Sequence, residues 1–299
     1  MTAIPPLRKG RLITRRGLLA GGAGLAFLSG SAVTAFSATE ASQMLSVTRY
    51  RLKPRAWPTG QKLSITVVAD LHAGGPNMGH ARIREVVETA NALQSDVILL
   101  LGDYVATHRF VTEPVPSAIW AGEMKRLDAP LGVHAVLGNH DWWHHQQEIR
   151  DALTAVDIPV MENSAVLLGE PGARFWLAGL GDQLAYRLGP GRFRGIDDLP
   201  GTLAQVTSDD PVILMAHEPD IFTEVPDRVA LTIAGHTHGG QIRVPFVWEA
   251  FVPSAYGARF AYGHIVEGGR DLIVSGGLGT SAIPLRLGVP PEVVRIDIG

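Results

Sequence analysis

Five short blocks of this chain combine residue types that can hold metal ions. They are Asp70-Leu71-His72, Gly102-Asp103, Gly138-Asn139-His140-Asp141, the single His217, and Gly235-His236-Thr237-His238. Asp, Asn and His offer oxygen and nitrogen donors suited to Mn, Fe or Zn. The Asp-x-His and His-x-His spacings each put two donors on one short extended stretch. Glycines at 102, 138 and 235 let the backbone turn tightly where ions would sit. Two such ions about 3.5–4 Å apart can clamp the attacking and leaving oxygens of an in-line phosphoryl displacement. Thiol chemistry is excluded, because the chain has no cysteine. It therefore has no disulfide, thiol nucleophile, thiolate zinc site or cysteine-ligated iron–sulfur cluster.

Taken singly, Asp70 reads as a turn residue and His217 as a satisfied buried histidine. What joins them is position, since each block follows an apolar run. Strands are expected over 63–70, 96–101 and 133–137, with helices over 81–94 and 119–128. Further strands are expected over 175–180, 212–216, 229–234, 272–275 and 293–298, each between Gly, Pro or Asp punctuation. Residues 42–62 read as an extended lead-in, and 239–269 as a long surface excursion. Early βαβ units followed by a strand-rich half predict a two-sheet α/β sandwich. In such sheets, loops after strand ends are where sites assemble, so blocks distant in sequence can converge.

The charges are segregated. The chain has 26 basic and 29 acidic residues, a formal net charge of −3. Residues 1–41 hold five of the basic groups and one acid, leaving 21 basic and 28 acidic residues, a balance of −7. So acidic a body argues against nucleic acid as the main partner, though not against a small phosphate substrate. Arg15-Arg16 precede the uncharged, glycine-rich run 17–39. Residues 1–41 therefore read as a signal peptide resembling the twin-arginine export type, or as an N-terminal anchor. Small residues suited to a signal peptidase occur at Val33/Ala35 and Thr39/Ala41. The expected location is the periplasm or the outer face of the cytoplasmic membrane, with 17–39 as a membrane-associating stretch. Residues 42–299 are expected to form one domain.

The ordered pattern D-x-H, G-D, G-N-H-D, H and G-H-x-H resembles the calcineurin-like metallophosphoesterase family across about residues 60–299. The leader and the ending 277–292, Gly-Leu-Gly-Thr-Ser-Ala-Ile-Pro-Leu-Arg-Leu-Gly-Val-Pro-Pro-Glu, resemble its exported bacterial branch. That branch includes general phosphodiesterases and enzymes cleaving UDP-diacylglucosamine. The resemblance implies an α/β/β/α sandwich with two divalent ions. Asp70, His72 and His238 would hold the first ion, Asp103 would bridge, and Asn139, His217 and His236 would hold the second. A bridging hydroxide would attack phosphorus in line, and His140 would protonate the leaving oxygen or stabilise charge. Asp141 would brace the loop. The implied substrate is a small phosphoester, lipid-linked or nucleotide-linked, and a phosphodiester before a monoester or nucleotide. A catalytically silent metal-binding protein on the same fold is the rival from another class.

The other histidines carry no assignment. His80 and His108 read as solvated loop positions or as borders of the site. His144 and His145 read as a surface helix start or, with Trp142-Trp143, as a rim touching substrate. His134 reads as structural, and His264 falls in the excursion. Asp182 reads as structural. Arg243 reads as a phosphate contact or a surface residue.

Overall fold

A computed structural model describes residues 31, 33–243 and 252–299. Most of the expected leader, including Arg15-Arg16, lies outside the described residues, as does 244–251 of the excursion. Among the described residues no helix is long and apolar enough to cross a membrane.

Two sheets face one another. The first runs in the order β1 (Ser46–Leu52), β13 (Glu292–Ile298), β2 (Leu63–Val68), β3 (Val97–Leu100), β4 (Val133–Ala135). The second runs β11 (Gly263–Glu267), β12 (Arg270–Val274), β10 (Val229–Ala234), β9 (Val212–Met215), β6 (Phe175–Gly179), β5 (Ser164–Leu168). Their central strands are buried on both faces, which explains the continuous apolar runs. Ile65, Val67 and Leu99 of the first sheet meet Ile213, Met215 and Ile233 of the second in the middle layer. The alternate residues Ile98 and Leu100 face outward onto helices α2 (His80–Ala92), α3 (Ser117–Met124) and α4 (Asn139–Thr154). On the far side, Val212 and Leu214 pack with Leu199 of the short α5 (Leu199–Leu203) and with Ile221 and Phe222. The two-sheet α/β sandwich expected from the sequence is the observed architecture.

Strands β2, β3 and β4 are parallel, and so are β6, β9, β10 and β12. Every block of interest therefore leaves the carboxyl end of a parallel strand: Asp70 after β2, Asp103 after β3, Asn139 after β4, His217 after β9 and His236 after β10. Several elements depart from the sequence reading. The lead-in contains β1, which pairs in parallel with β13. The excursion contains β11, antiparallel to β12. A two-stranded hairpin, β7 (Tyr186–Gly189) and β8 (Arg192–Arg194), stands outside both sheets. Residues 33–43, the end of the expected leader, form a helix, α1.

Candidate metal centre

The strand ends bring seven side chains together. His72 Nε2 lies 3.1 Å from His238 Nε2, and His238 Nε2 lies 3.7 Å from Asp70 Oδ1. On the other side, Asn139 Oδ1 lies 3.1 Å from His217 Nε2 and 2.8 Å from His236 Nδ1. Between the two groups sits Asp103, whose Oδ2 is 3.5 Å from His72 Nε2 and 3.3 Å from His217 Nε2. Asp70-His72-His238 and Asp103-His217-His236 each converge closely enough to hold one ion, and all six are buried.

The rings are oriented from behind. His72 Nδ1 pairs with the Val105 carbonyl at 3.3 Å, and His217 Nδ1 with Leu101 at 2.6 Å. His236 uses Nε2 instead, pairing with Pro253 at 2.9 Å. A ring N–H given to a carbonyl leaves the opposite nitrogen's lone pair free, here facing the cluster. His238 Nδ1 lies 3.1 Å from Nη2 of the buried Arg286.

The backbone is strained at the same places. Asp70, His72, Asp103, His236 and His238 all have φ between 44° and 68°, the left-handed region that costs a non-glycine residue about 1–3 kcal/mol. Gly102 also needs its freedom: φ is +90°, and a Cβ would meet Gly138 N at 2.4 Å. Gly138 has an ordinary φ, but a Cβ there would meet Asp103 Oδ1 at 2.4 Å and His217 Cε1 at 2.6 Å.

The electrostatics favour a cation. Burial pushes Asp70 up to about 7, with His217 opposing and Asp103 adding to the rise. Burial pushes His72 and His236 down to about 3, so both stay neutral. Burial opposes ionisation of Asp103, yet His217 and His140 hold it well below the carboxylate range. In return Asp103 holds His217 well above the usual imidazole range despite burial. Two buried carboxylates facing neutral imidazoles fit divalent ions, which would replace the proton on His217.

His140 stands beside this cluster. Its ring meets His72 edge-on at 4.9 Å. Its backbone N–H donates to Asp103 Oδ1 at 2.8 Å, its Nδ1 pairs with Thr107 Oγ1, and its Nε2 lies 3.3 Å from Ser281 Oγ. Asp141 accepts backbone N–H bonds from Gly138 and Asp103 on Oδ2 and from Tyr104 on Oδ1, at 2.8–2.9 Å. It braces the loop and caps α4.

Several other residues have definite places. Trp143 packs against His140 at 5.2 Å, while Arg187 and Phe193 of the hairpin cover it. His108 has its pKa lowered by partial burial and by His140. His80 pairs with Glu123 at 2.7 Å and His264 with Asp271 at 2.7 Å. His144 and His145 are exposed on α4. Arg243 is turned to Gly239 O and the Tyr262 ring. Gln241 instead ties down the loop carrying Ser281, through Ile283, Leu285 and Ser281 itself.

Sequence reading passed over two features. Asp182 and Glu218 form a third cluster with His217. Burial raises both; the charge of Glu218 adds to the rise of Asp182, while His217 and the hydrogen bond with Asp182 hold Glu218 back. Glu218's adjacency to His217 was the available signal. The other feature is Arg286, fully buried although it is an arginine.

Residues 63–240 match the family model for calcineurin-like phosphoesterases. An uncharacterized metallophosphoesterase of Aquifex aeolicus (strain VF5) is 30% identical, covering 85% of this chain and 92% of its own. The uncharacterized metallophosphoesterase YkuE of Bacillus subtilis (strain 168) is 28% identical over 84% of each chain. The phosphodiesterase YaeI of Escherichia coli (strain K12) is 30% identical, covering 78% of this chain and 81% of its own.

Proposed function

Because the chain belongs to the calcineurin-like phosphoesterase family, we propose that it is a two-metal hydrolase acting on phosphodiesters. The observation carrying this reading is Asp103 Oδ2, within 3.5 Å of a histidine from each ligand cluster. In this reading Asp70, His72 and His238 hold one ion, Asn139, His217 and His236 the other, and Asp103 both. When bound, the ions supply Lewis acidity, a site for phosphate oxygens and an acidified water.

The chain's own residues do the rest. Thr107 and Ser281 hold the His140 ring at the edge of the cluster. There His140 is placed to protonate the departing oxygen or to stabilise its charge; burial lowers its pKa, and Asp103 opposes that. Asp141 fixes the loop that sets Asp103 and His140 relative to one another. Trp143, covered by Arg187 and Phe193, offers an aromatic, cationic wall to the second ester group. The YaeI name supports a diester, and that wall supports a bulky group beyond phosphorus. The leader supports export by the twin-arginine machinery to the periplasm or outer membrane face. Replacing Arg15 and Arg16 by lysine should then leave the protein in the cytoplasm on cell fractionation.

The test is metal analysis coupled to matched substrates, bis-p-nitrophenyl phosphate and p-nitrophenyl phosphate. The expected result is Mn²⁺-dependent activity that chelator abolishes, with the diester turned over faster. Faster monoester turnover overturns the diester reading. Two bound ions without hydrolysis of any ester would make this a silent metal-binding protein.

A further inference from the structure

Helix α1 lies where the sequence suggests a removable leader, yet it is built into the body. Ser37, Glu40 and Ala41 are buried, Glu40 to 2% exposure. A carboxylate this buried must be hydrogen-bonded. Glu40 accepts from the N–H of Gly288 at 3.1 Å and of Val289 at 2.8 Å. The Ser37 carbonyl accepts from the N–H of Arg286 at 3.1 Å. The helix therefore grips the loop 286–289 at three points.

That loop carries the most buried cation among the described residues. Arg286 donates to Gly279 O through Nε at 2.8 Å and Nη2 at 2.6 Å, and through Nη1 to Gly276 O at 2.9 Å and Val289 O at 3.0 Å. Its Nη2 also lies against His238. The turn it holds, 276–279, is pressed on Asp70. Gly279 N–H donates to the Asp70 carbonyl at 2.7 Å, and a Cβ on Gly277 would meet Asp70 Cβ at 2.7 Å. One guanidinium thus backs both Asp70 and His238. Asp70, Glu292 and Glu40 supply the negative charge that offsets it.

We propose that helix α1 is a permanent brace of the metal centre, acting through Glu40 and Arg286 on Asp70 and His238, and that the mature protein keeps it. Glu40 and Arg286 are positioning residues, and the proposal rests on the assignment of Asp70 and His238 as ligands. Processing at Thr39/Ala41 would remove Ser37 and Glu40, so any cleavage falls before Ser37, as it would at Val33/Ala35.

Two measurements on the full-length gene product test this. Intact mass of the protein recovered from cells should give a mature chain that contains 37–43. A chain beginning after Ser37 overturns the proposal. Second, wild type, Glu40→Gln and Glu40→Ala are titrated with Mn²⁺ and followed by stoichiometry and electron paramagnetic resonance. Wild type should take two ions and show a coupled pair. Glu40→Ala should bind one of them about 10- to 100-fold more weakly, giving an uncoupled signal, with Glu40→Gln between. A merely structural role would lower the unfolding temperature and leave the coupled signal intact, which overturns the brace. Should Glu40→Ala fail to fold, Glu40→Gln carries the comparison. Fewer than two ions in wild type overturns the two-metal reading and the brace with it. Two equally tight ions in wild type and variants overturn the brace alone.

Discussion

Asp103 and His140 are neighbours with separable duties. Asp103→Asn removes the negative charge shared by both clusters, so bound metal and activity should fall together. His140→Ala leaves all seven proposed ligands in place, so metal content should persist while turnover drops about 10²- to 10⁴-fold. Atomic absorption with single-turnover kinetics separates the two outcomes, and metal loss in His140→Ala would make it a ligand instead. A pH prediction follows from Asp70 and Asp141, both raised to about 7 from 3.8 by burial. From about pH 4 upward the unfolded carboxyls ionise while the folded ones still hold protons. The metal-free fold therefore loses stability as pH rises to about 7. A cation stabilises ionised Asp70, so the rise in Tm on adding Mn²⁺ should grow from about pH 5 to about pH 8. Calorimetry with and without Mn²⁺ checks it, and a constant increment would contradict it. The ligand-type residues were legible because each block, single or paired, follows an apolar run that reads as a strand. Arg286, Asp182 and Glu218 were not, because their importance lies in contacts made across the fold.

Among the elements, the loops after β3 and β4 are packed to contact. Gly138→Ala keeps an allowed φ but drives a methyl group into Asp103 and His217. Overpacking of this kind costs about 1–3 kcal/mol. Here it should also abolish tight binding of the second ion, which dialysis against Mn²⁺ and a denaturant midpoint would read together. The central strands were readable as unbroken apolar runs. Strands β1 and β11 were not: both alternate exposed with half-buried residues along nearly all their length, an edge pattern that a polar loop also gives. The hairpin β7–β8 is exposed throughout and offered no apolar period. Helix α4 was missed beyond its start because its sequence, NHDWWHHQQEIRDALT, puts only Ile149 and Leu153 of its apolar residues fully in the core. Its N-terminus is set by Asp141, a capping residue that sequence reading had absorbed into the motif.

Across the whole molecule, the site sits at one end of two parallel arrays, and its integrity depends on both. Strand β13 holds a central place, between β1 and β2. Removing 292–298 should therefore eliminate cooperative unfolding altogether, whereas loss of an edge strand would only lower Tm. Circular dichroism on heating distinguishes these, and a cooperative transition in the truncated chain would refute the central role. The same order of strands governs when the protein can form. Synthesis runs from the amino terminus, and domains ordinarily begin folding as they emerge. Here the first strand must wait for the last, because no chain segment made earlier can occupy the gap between β1 and β2. The loop bearing Arg286 and the turn behind Asp70 also emerge late. The first sheet can therefore close only once residues 292–298 have emerged, and the ion pocket is finished no earlier.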